Sequence, residues 1–381
     1  MTRKLFYEDS HIKEFEAKVI DCIKDNDAYQ IILDQTAFFP EGGGQTSDTG
    51  RILDIEVYDV REKDDVIYHY TKEPLIVGQS VVGVIDYKER FSKMQQHTGE
   101  HIISGLVNRY FGYDNVGFHL GKEKVTMDFN GDLTSEDLRK IELEANEVVA
   151  RNLKIEVLYP SKEELKNIQY RSKIEIEGQV RIVEIPGIDC CACCAPHVKY
   201  TGEIGIIKII DSEKYKGGIR VSMLCGFRAL EDYNMKEQNV NKISVLLSAK
   251  PEKISVSVEN LKNEISILKG RIFALQEKQV AEAINQIKED ATLAILFDEE
   301  LDNNAMRKFV NGAMEKCKGL CGAFVGNDLE GYRYILGSKT IDVRDTAKML
   351  NEAFSGKGGG KPEMVQGSLH GTKANIEQLL S

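Results

Sequence analysis

The sequence predicts an α+β protein. Its expected parts are a small antiparallel β-barrel at the N-terminus, an α+β domain with metal-ligand motifs, a helical, coiled-coil linker, and a small C-terminal α/β domain. Three observations carry this. Short segments of alternating apolar and polar residues fill the first 88 positions. Two histidines spaced for one helix face are followed, about a hundred residues on, by four clustered cysteines. An apolar seam of heptad spacing lies within residues 231–290. The expected boundaries are therefore 1–88, 89–230, 231–290 and 291–381.

The 381 residues are 42% hydrophobic and 29% charged, enough apolar content for the cores of two or three ordinary domains. The start, Met1-Thr-Arg-Lys-Leu-Phe6, does not read as a signal peptide, and no apolar run approaches the ~20 residues of a membrane span. A cytoplasmic protein without a membrane partner is expected. Eight cysteines are too few for a disulfide scaffold, and Cys190, Cys191, Cys193 and Cys194 crowd together, which points to metal or redox chemistry. A net charge of -11 argues against a generic polyanion binder but leaves room for a local basic surface.

In order along the chain, Ala17–Ile23, Tyr29–Leu33, Ile52–Tyr58, Val66–Tyr70 and Gln79–Ile85 read as the barrel strands. Among them lies Glu41-Gly-Gly-Gly-Gln45, where glycines let backbone approach a ligand or a second domain; a flexible hairpin loop is the plain alternative. Asp86-Tyr-Lys-Glu89 has the form of a capping box. The helix it opens directs Phe91, Met94, Ile102 and Leu106 to a core and ends before Gly112.

A strand at Lys124–Phe129, a helix from Ser135 to Arg151, a strand at Lys154–Leu158, a short capped helix at Ser161–Tyr170 and a strand at Gln179–Ile185 follow. Ile204–Ile210 and Ile219–Cys225 read as further strands, the first of them buried. The seam is Val258, Leu261, Ile265, Leu268, Ile272 and Leu275, suited to an intrachain hairpin or a homodimer. In the last segment, Lys357-Gly-Gly-Gly-Lys361 reads as a loop whose amides and ammonium groups suit phosphate, with an ordinary loop as the alternative.

His97 and His101 stand one turn apart on the first long helix, and Cys193 and His197 repeat the spacing of four. Three imidazoles and a thiolate suit tetrahedral zinc, and a histidine-rich set gathered from distant segments favours a catalytic ion over a structural one. Cys190, Cys191 and Cys194 compete as the sulfur donor. Glu100 is a candidate general base, though a solvated helix residue fits the sequence equally.

Taken together, His97-Thr-Gly-Glu-His101, Cys193 to His197, Thr201-Gly-Glu-Ile-Gly205 and Glu41-Gly-Gly-Gly-Gln45 resemble the editing region of alanyl-tRNA synthetases and the free-standing AlaX-type editing proteins. Gly356-Lys-Gly-Gly-Gly-Lys-Pro-Glu-Met364 resembles the DHH-associated domain of the same synthetases, which matches the long AlaX form. No class II aminoacylation domain is read ahead of these motifs.

The resemblance implies hydrolysis of Ser-tRNA-Ala, and of Gly-tRNA-Ala, at zinc held by His97, His101, Cys193 and His197. It places Gly42, Gly43, Gly44 and Gln45 against the acceptor end, with His119 at the active site and Arg220 as a further substrate contact. It gives Lys357, Gly358, Gly359, Gly360 and Lys361 to tRNA. Cys194-Ala-Pro196 departs from the Gly-Gly-Thr common in the family.

Three other functions remain compatible with the sequence. His97-Thr-Gly-Glu-His101 also has the H-x-x-E-H form of certain metallopeptidases, a non-catalytic tRNA-binding zinc module has the same motifs, and Ser-tRNA-Thr is a related substrate.

Overall fold

The computed structural model describes residues 1–172 and 178–381. It divides into two compact units, Met1–Val240 and Asn241–Ser381.

In the first unit, strands Glu14–Asp25, Ala28–Leu33, Gly50–Ile52, Ile55–Lys63, Val66–Thr71 and Ser80–Ile85 close an antiparallel barrel. Their alternation puts Val19, Ile31, Ile52, Val57 and Ile67 inside, each 1% exposed or less. Closure leaves no free edge in this small sheet.

His69 is fully buried in this barrel. Its Nδ1 donates to Ile31 O at 2.9 Å, while its Nε2 lies 2.8 Å from the Thr36 hydroxyl. Burial pushes its pKa down from 6.5 to about 4. The unfolded chain therefore takes up a proton that the barrel refuses. This contribution to stability is complete above pH 6.5 and is lost as pH falls towards 4, by about 3 kcal/mol. Urea midpoints at pH 7.5 and pH 4.5 are expected to differ less in His69→Gln than in wild type; equal differences would remove His69 as the cause.

A long helix, Tyr87–Phe111, forms the centre of the unit. Asp86 caps it by accepting from Glu89 N at 3.2 Å, and Gly112 ends it in the left-handed conformation. The capping box is only half made: the Glu89 carboxylate turns instead to the Thr49 hydroxyl, at 3.2 Å, and to Lys93.

Helix Ser135–Ala150, with its Thr134–Asp137 capping box, and strands from two sheets surround the central helix. One sheet runs Ile207–Tyr215, Gly218–Cys225, Val125–Phe129, Asn115–Leu120; the other runs Glu156–Leu158, Ile182–Ile185, Asp189–Ala192. Neighbours in both are antiparallel. Gly105 allows the close approach of the last strand, because a Cβ there would stand 2.6 Å from Ile188 O and 2.8 Å from Asp189 Cβ.

Two expectations about these elements need correction, and one element was not expected. The helix expected over Ser161–Tyr170 is the single turn Lys162–Leu165. The strand expected at Ile204–Ile210 starts at Ile207 and lies at a sheet edge, so only Ile207 of its first four residues is buried. The cysteine run contains a strand, Asp189–Ala192, whose two-residue period turns Asp189 and Cys191 inward.

In the second unit, a five-stranded sheet has the order Leu293–Asp298, Leu320–Asn327, Gly331–Gly337, Met364–Leu369, Lys357–Lys361, with only the first pair parallel. The end of helix Ile254–Asn285 joins its core through Val280. The seam residues Val258 to Leu275 on that helix are 41–67% exposed among the described residues. Lys357–Lys361 is an exposed edge strand rather than a loop, because it pairs along its length with Met364–Leu369.

Candidate metal centre

The central helix and the cysteine strand bring together what the sequence holds far apart. Donor atoms of His97, His101, Cys193 and His197 all lie within 4.8 Å of one another. The ring centroids of the three imidazoles are 4.6–5.6 Å apart. All three histidines are at most 3% exposed.

Each imidazole is turned by a partner at its Nδ1. Gln45 Oε1 accepts from His97 Nδ1 at 3.1 Å, Asp189 Oδ2 accepts from His101 Nδ1 at 2.9 Å, and the Thr98 hydroxyl oxygen lies 3.1 Å from His197 Nδ1. Fixing Nδ1 this way leaves Nε2 for a metal. The Nε2 atoms of His97 and His197 lie 3.5 and 3.3 Å from Cys193 Sγ. Four soft and borderline donors around one point, oriented from behind, fit a tetrahedral divalent ion.

The local electrostatics favour the metal-binding form at Cys193 and His197, whereas Asp189 and Cys193, against the effect of burial, raise His101 well above its usual value, so a metal there would displace its proton. Burial would raise the Cys193 thiol, but His97 and His197 beside it hold it well below its usual value, which favours the thiolate. Burial pushes His197 down to about 3, which keeps that imidazole neutral. Deprotonated sulfur and neutral nitrogen are the forms that bind metal. Asp189 also receives Arg171 in a two-pronged pair at 2.7 and 2.9 Å. Its carboxyl stays below the usual range despite burial, because His101 and Arg171 donate to it.

The glycine-rich segment is a tight turn. Gly42 and Gln45 exchange backbone hydrogen bonds at 3.1 and 3.0 Å, and Gly43 and Gly44 between them have φ of 59° and 79°. Both central residues thus occupy the region that hairpin turns reserve for glycine. A Cβ on Gly44 would also meet Phe118 at 2.7 Å. This turn delivers Gln45 to His97. Gln45, expected against substrate, accordingly holds a metal-ligand candidate, with its Nε2 buried and unpartnered among the described residues.

Behind the turn, Asp48 accepts from Phe39 N at 2.7 Å and forms a wholly buried pair with Arg90 of the central helix. Arg90 also donates to Ala37 O at 2.7 Å, and Lys93 donates to Ser47 O at 2.6 Å.

Glu100 is not solvated. It is 1% exposed, and its Oε1 accepts from Asn115 at 2.6 Å and Ser104 at 2.7 Å. Its second oxygen lies 3.8 Å from His101 Nε2, beside the cluster. Over residues 93–107 the helix is buried on every face, so its polar residues there are buried too, which its polar sequence gave no sign of.

His119 is exposed on the neighbouring strand and does not line the central cavity; Phe118, one residue before, does, with its ring 4.8 Å from His97. Arg220 is engaged elsewhere, paired with Asp128 at 2.6 and 2.8 Å and lying 3.7 Å over the Tyr215 ring. Gly358, Gly359 and Gly360 instead line a separate cavity in the second unit, of about 400 Å³, with Arg344 and Lys348. Lys357 and Lys361 flank them, exposed, on the same edge strand.

Sequence reasoning missed Asp189, Thr98 and Arg171. Only the alternation of the cysteine strand, with Asp189 two residues from Cys191, hinted at the first.

Comparison with known proteins sharpens this geometry. Residues 180–222 match the threonyl and alanyl tRNA synthetase second additional domain, and residues 276–381 match the DHHA1 domain. The alanyl-tRNA editing protein AlaX-L of Pyrococcus horikoshii is 27% identical over 403 aligned positions, covering 99% of this chain and 96% of that protein. Over its whole length, the chain resembles the alanyl-tRNA editing proteins.

Aarsd1 of Rattus norvegicus, another alanyl-tRNA editing protein, is 28% identical across 98% of this chain and 96% of its own. Similarity also extends to full synthetases. The alanine–tRNA ligase of Ignicoccus hospitalis is 35% identical over 301 residues, but the chain spans only 33% of that ligase. Residues 2–89 match a model described as tRNA synthetases class II (A), so this synthetase signature falls on the stretch that folds as the barrel. The editing-protein resemblance thus covers barrel, metal centre and C-terminal unit alike.

Proposed function

We propose that the chain is a zinc-dependent trans-editing hydrolase that deacylates tRNA-Ala mischarged with serine, and with glycine. The observation that carries this is the convergence of His97, His101, Cys193 and His197 in one buried cluster, each imidazole held at Nδ1. Its support is the matching length and domain order of the alanyl-tRNA editing proteins.

Zinc held by His97, His101, Cys193 and His197 would supply Lewis acidity for activating water and polarising an ester carbonyl. The chain's own residues do the rest. Gln45, Asp189 and Thr98 aim the imidazoles, the turn at Gly43 and Gly44 walls the cavity, and Glu100 stands close enough to hold a proton near His101. An aminoacyl ester is already activated, so positioning accounts for much of the rate. In the second unit, Lys357, Lys361, Arg344 and Lys348 offer cations to the tRNA backbone. β-branched Val258, Ile265 and Ile272 alternate with Leu261, Leu268 and Leu275, the pattern of a parallel two-stranded coil, which suits a second copy of this chain. Among the described residues no helix is long and apolar enough to cross a membrane.

The test is single-turnover deacylation of Ser-tRNA-Ala, Gly-tRNA-Ala, Ala-tRNA-Ala and Ser-tRNA-Thr. Rapid loss of serine from tRNA-Ala with alanine spared is expected; hydrolysis of none of these esters, or peptidase activity in their place, overturns the reading. Asp189→Asn is expected to weaken zinc binding by about 10- to 100-fold, as loss of a ligand's hydrogen-bond partner does. Competition with a chromophoric chelator measures it, and unchanged affinity would reduce Asp189 to a packing role.

A further inference from the structure

The cavity above the metal centre has a volume of about 930 Å³. An aminoacyl group fills a small part of that. Besides His97, His101 and Cys193, the walls include Tyr7, Tyr159 and Arg181, which are not among the metal-ligand candidates.

These three come from distant segments and present flat surfaces. Arg181 Cζ lies 5.1 Å over the Tyr7 ring, and Arg181 Nη1 donates to Cys193 O at 2.7 Å and to Ala195 O at 3.0 Å. Tyr7 and Cys193 pack on the same cluster of Phe6, Phe39 and Ala195, so the planar pair is fixed beside the ligand-bearing loop. Tyr159 is 49% exposed, a large aromatic open to an incoming group. Arg181 Nε is buried without an acceptor among the described residues, a donor with a hydrogen bond still to make.

The charge nearby is balanced rather than cationic. Lys4 Nζ, 6.0 Å from the Tyr7 ring, is paired with Glu62 at 2.5 Å and Asp65 at 3.7 Å. Balanced charge with aromatic and guanidinium planes suits a nucleobase better than a phosphate. Unstacked bases bind proteins by stacking on such planes and hydrogen-bonding their edges. If an ester carbonyl lies at the histidine cluster, its alcohol side is a ribose, and the attached base falls within the same cavity.

We propose that Tyr7, Tyr159 and Arg181 form the subsite for the terminal base of a single-stranded nucleic-acid 3′ end, their planar groups offering it stacking surfaces. This rests on the proposed ester hydrolysis at the metal centre.

The experiment uses the full chain as wild type, Tyr159→Ala, Tyr159→Phe and Tyr7→Ala. Deacylation of Ser-tRNA-Ala is compared with hydrolysis of seryl methyl ester, which has no nucleoside. Tyr159→Ala is expected to raise KM for the tRNA about tenfold with kcat within about twofold, the loss of one stacked base. The preference for tRNA over methyl ester should fall by the same factor, and Tyr159→Phe should restore it. Unchanged KM in both alanine variants, or equal losses on the two esters, overturns the subsite.

A second arm needs no turnover. The chain has no tryptophan, so tyrosine fluorescence reports on the RNA trinucleotide CCA. Saturable quenching in wild type that is lost in Tyr159→Ala supports the subsite even where wild type deacylates nothing, a result that would overturn the hydrolase reading alone. Absence of quenching in wild type counts against the subsite.

Discussion

His97→Ala is expected to lower deacylation of Ser-tRNA-Ala by more than about a hundredfold and to strip zinc from the purified protein. Losing a partner behind a ligand typically costs 10- to 100-fold, so losing the ligand itself exceeds that. In the metal-free protein Cys193 is held well below its usual value by the neighbouring histidines, and His101, despite burial, is raised well above its own by Asp189 and Cys193, so metal binding at this cluster is coupled to proton release.

Chelation of wild type should reproduce the loss, and added zinc should reverse it in wild type but not in the variant. Metal content by atomic emission and single-turnover rates measure the two sides. Full activity after complete chelation would end the zinc hypothesis.

Arg90→Met is expected to cost about 3–5 kcal/mol of stability, because it leaves Asp48 charged and uncompensated in the interior. Both side chains are at most 1% exposed, and Asp48 has Phe39 N as its other partner. Arg90 further ties Ala37 O and Ser10 O, at 2.7 and 3.2 Å, so four segments lose a common anchor. The double variant Arg90→Met/Asp48→Leu should recover part of the loss, since no bare charge remains. Urea unfolding followed by circular dichroism gives both values. A single-variant cost below about 1 kcal/mol would show that water reaches Asp48. The effect extends to the site, because Asp48 follows closely on the turn that carries Gln45 to His97.

Much of this arrangement follows from local sequence. The period of two in residues 14–85 sets which side chains enter the barrel, and Asp86 and Gly112 set the ends of the central helix. A spacing of four places His97 and His101 on one face, whatever the rest of the chain does. These features were legible because each depends on residues within a turn or a strand of one another.

What the neighbours are was decided by tertiary structure alone. Gln45 meets His97 across 52 positions and Asp189 meets His101 across 88, and no local period encodes either contact. Glu100 sits between two candidate ligands on a polar stretch that fits a solvated face equally well, yet is buried because packing surrounds the middle of the helix. Lys357–Lys361 reads as a loop by its glycines, yet is a strand because Met364–Leu369 offers it a hydrogen-bonding edge. The sequence by itself offered two histidines and a cysteine–histidine pair, each pair four residues apart, with the sulfur open among the clustered cysteines. Only the fold placed His97, His101, Cys193 and His197 within 4.8 Å and put a polar partner behind each imidazole, because burial and long-range pairing are properties of the folded chain.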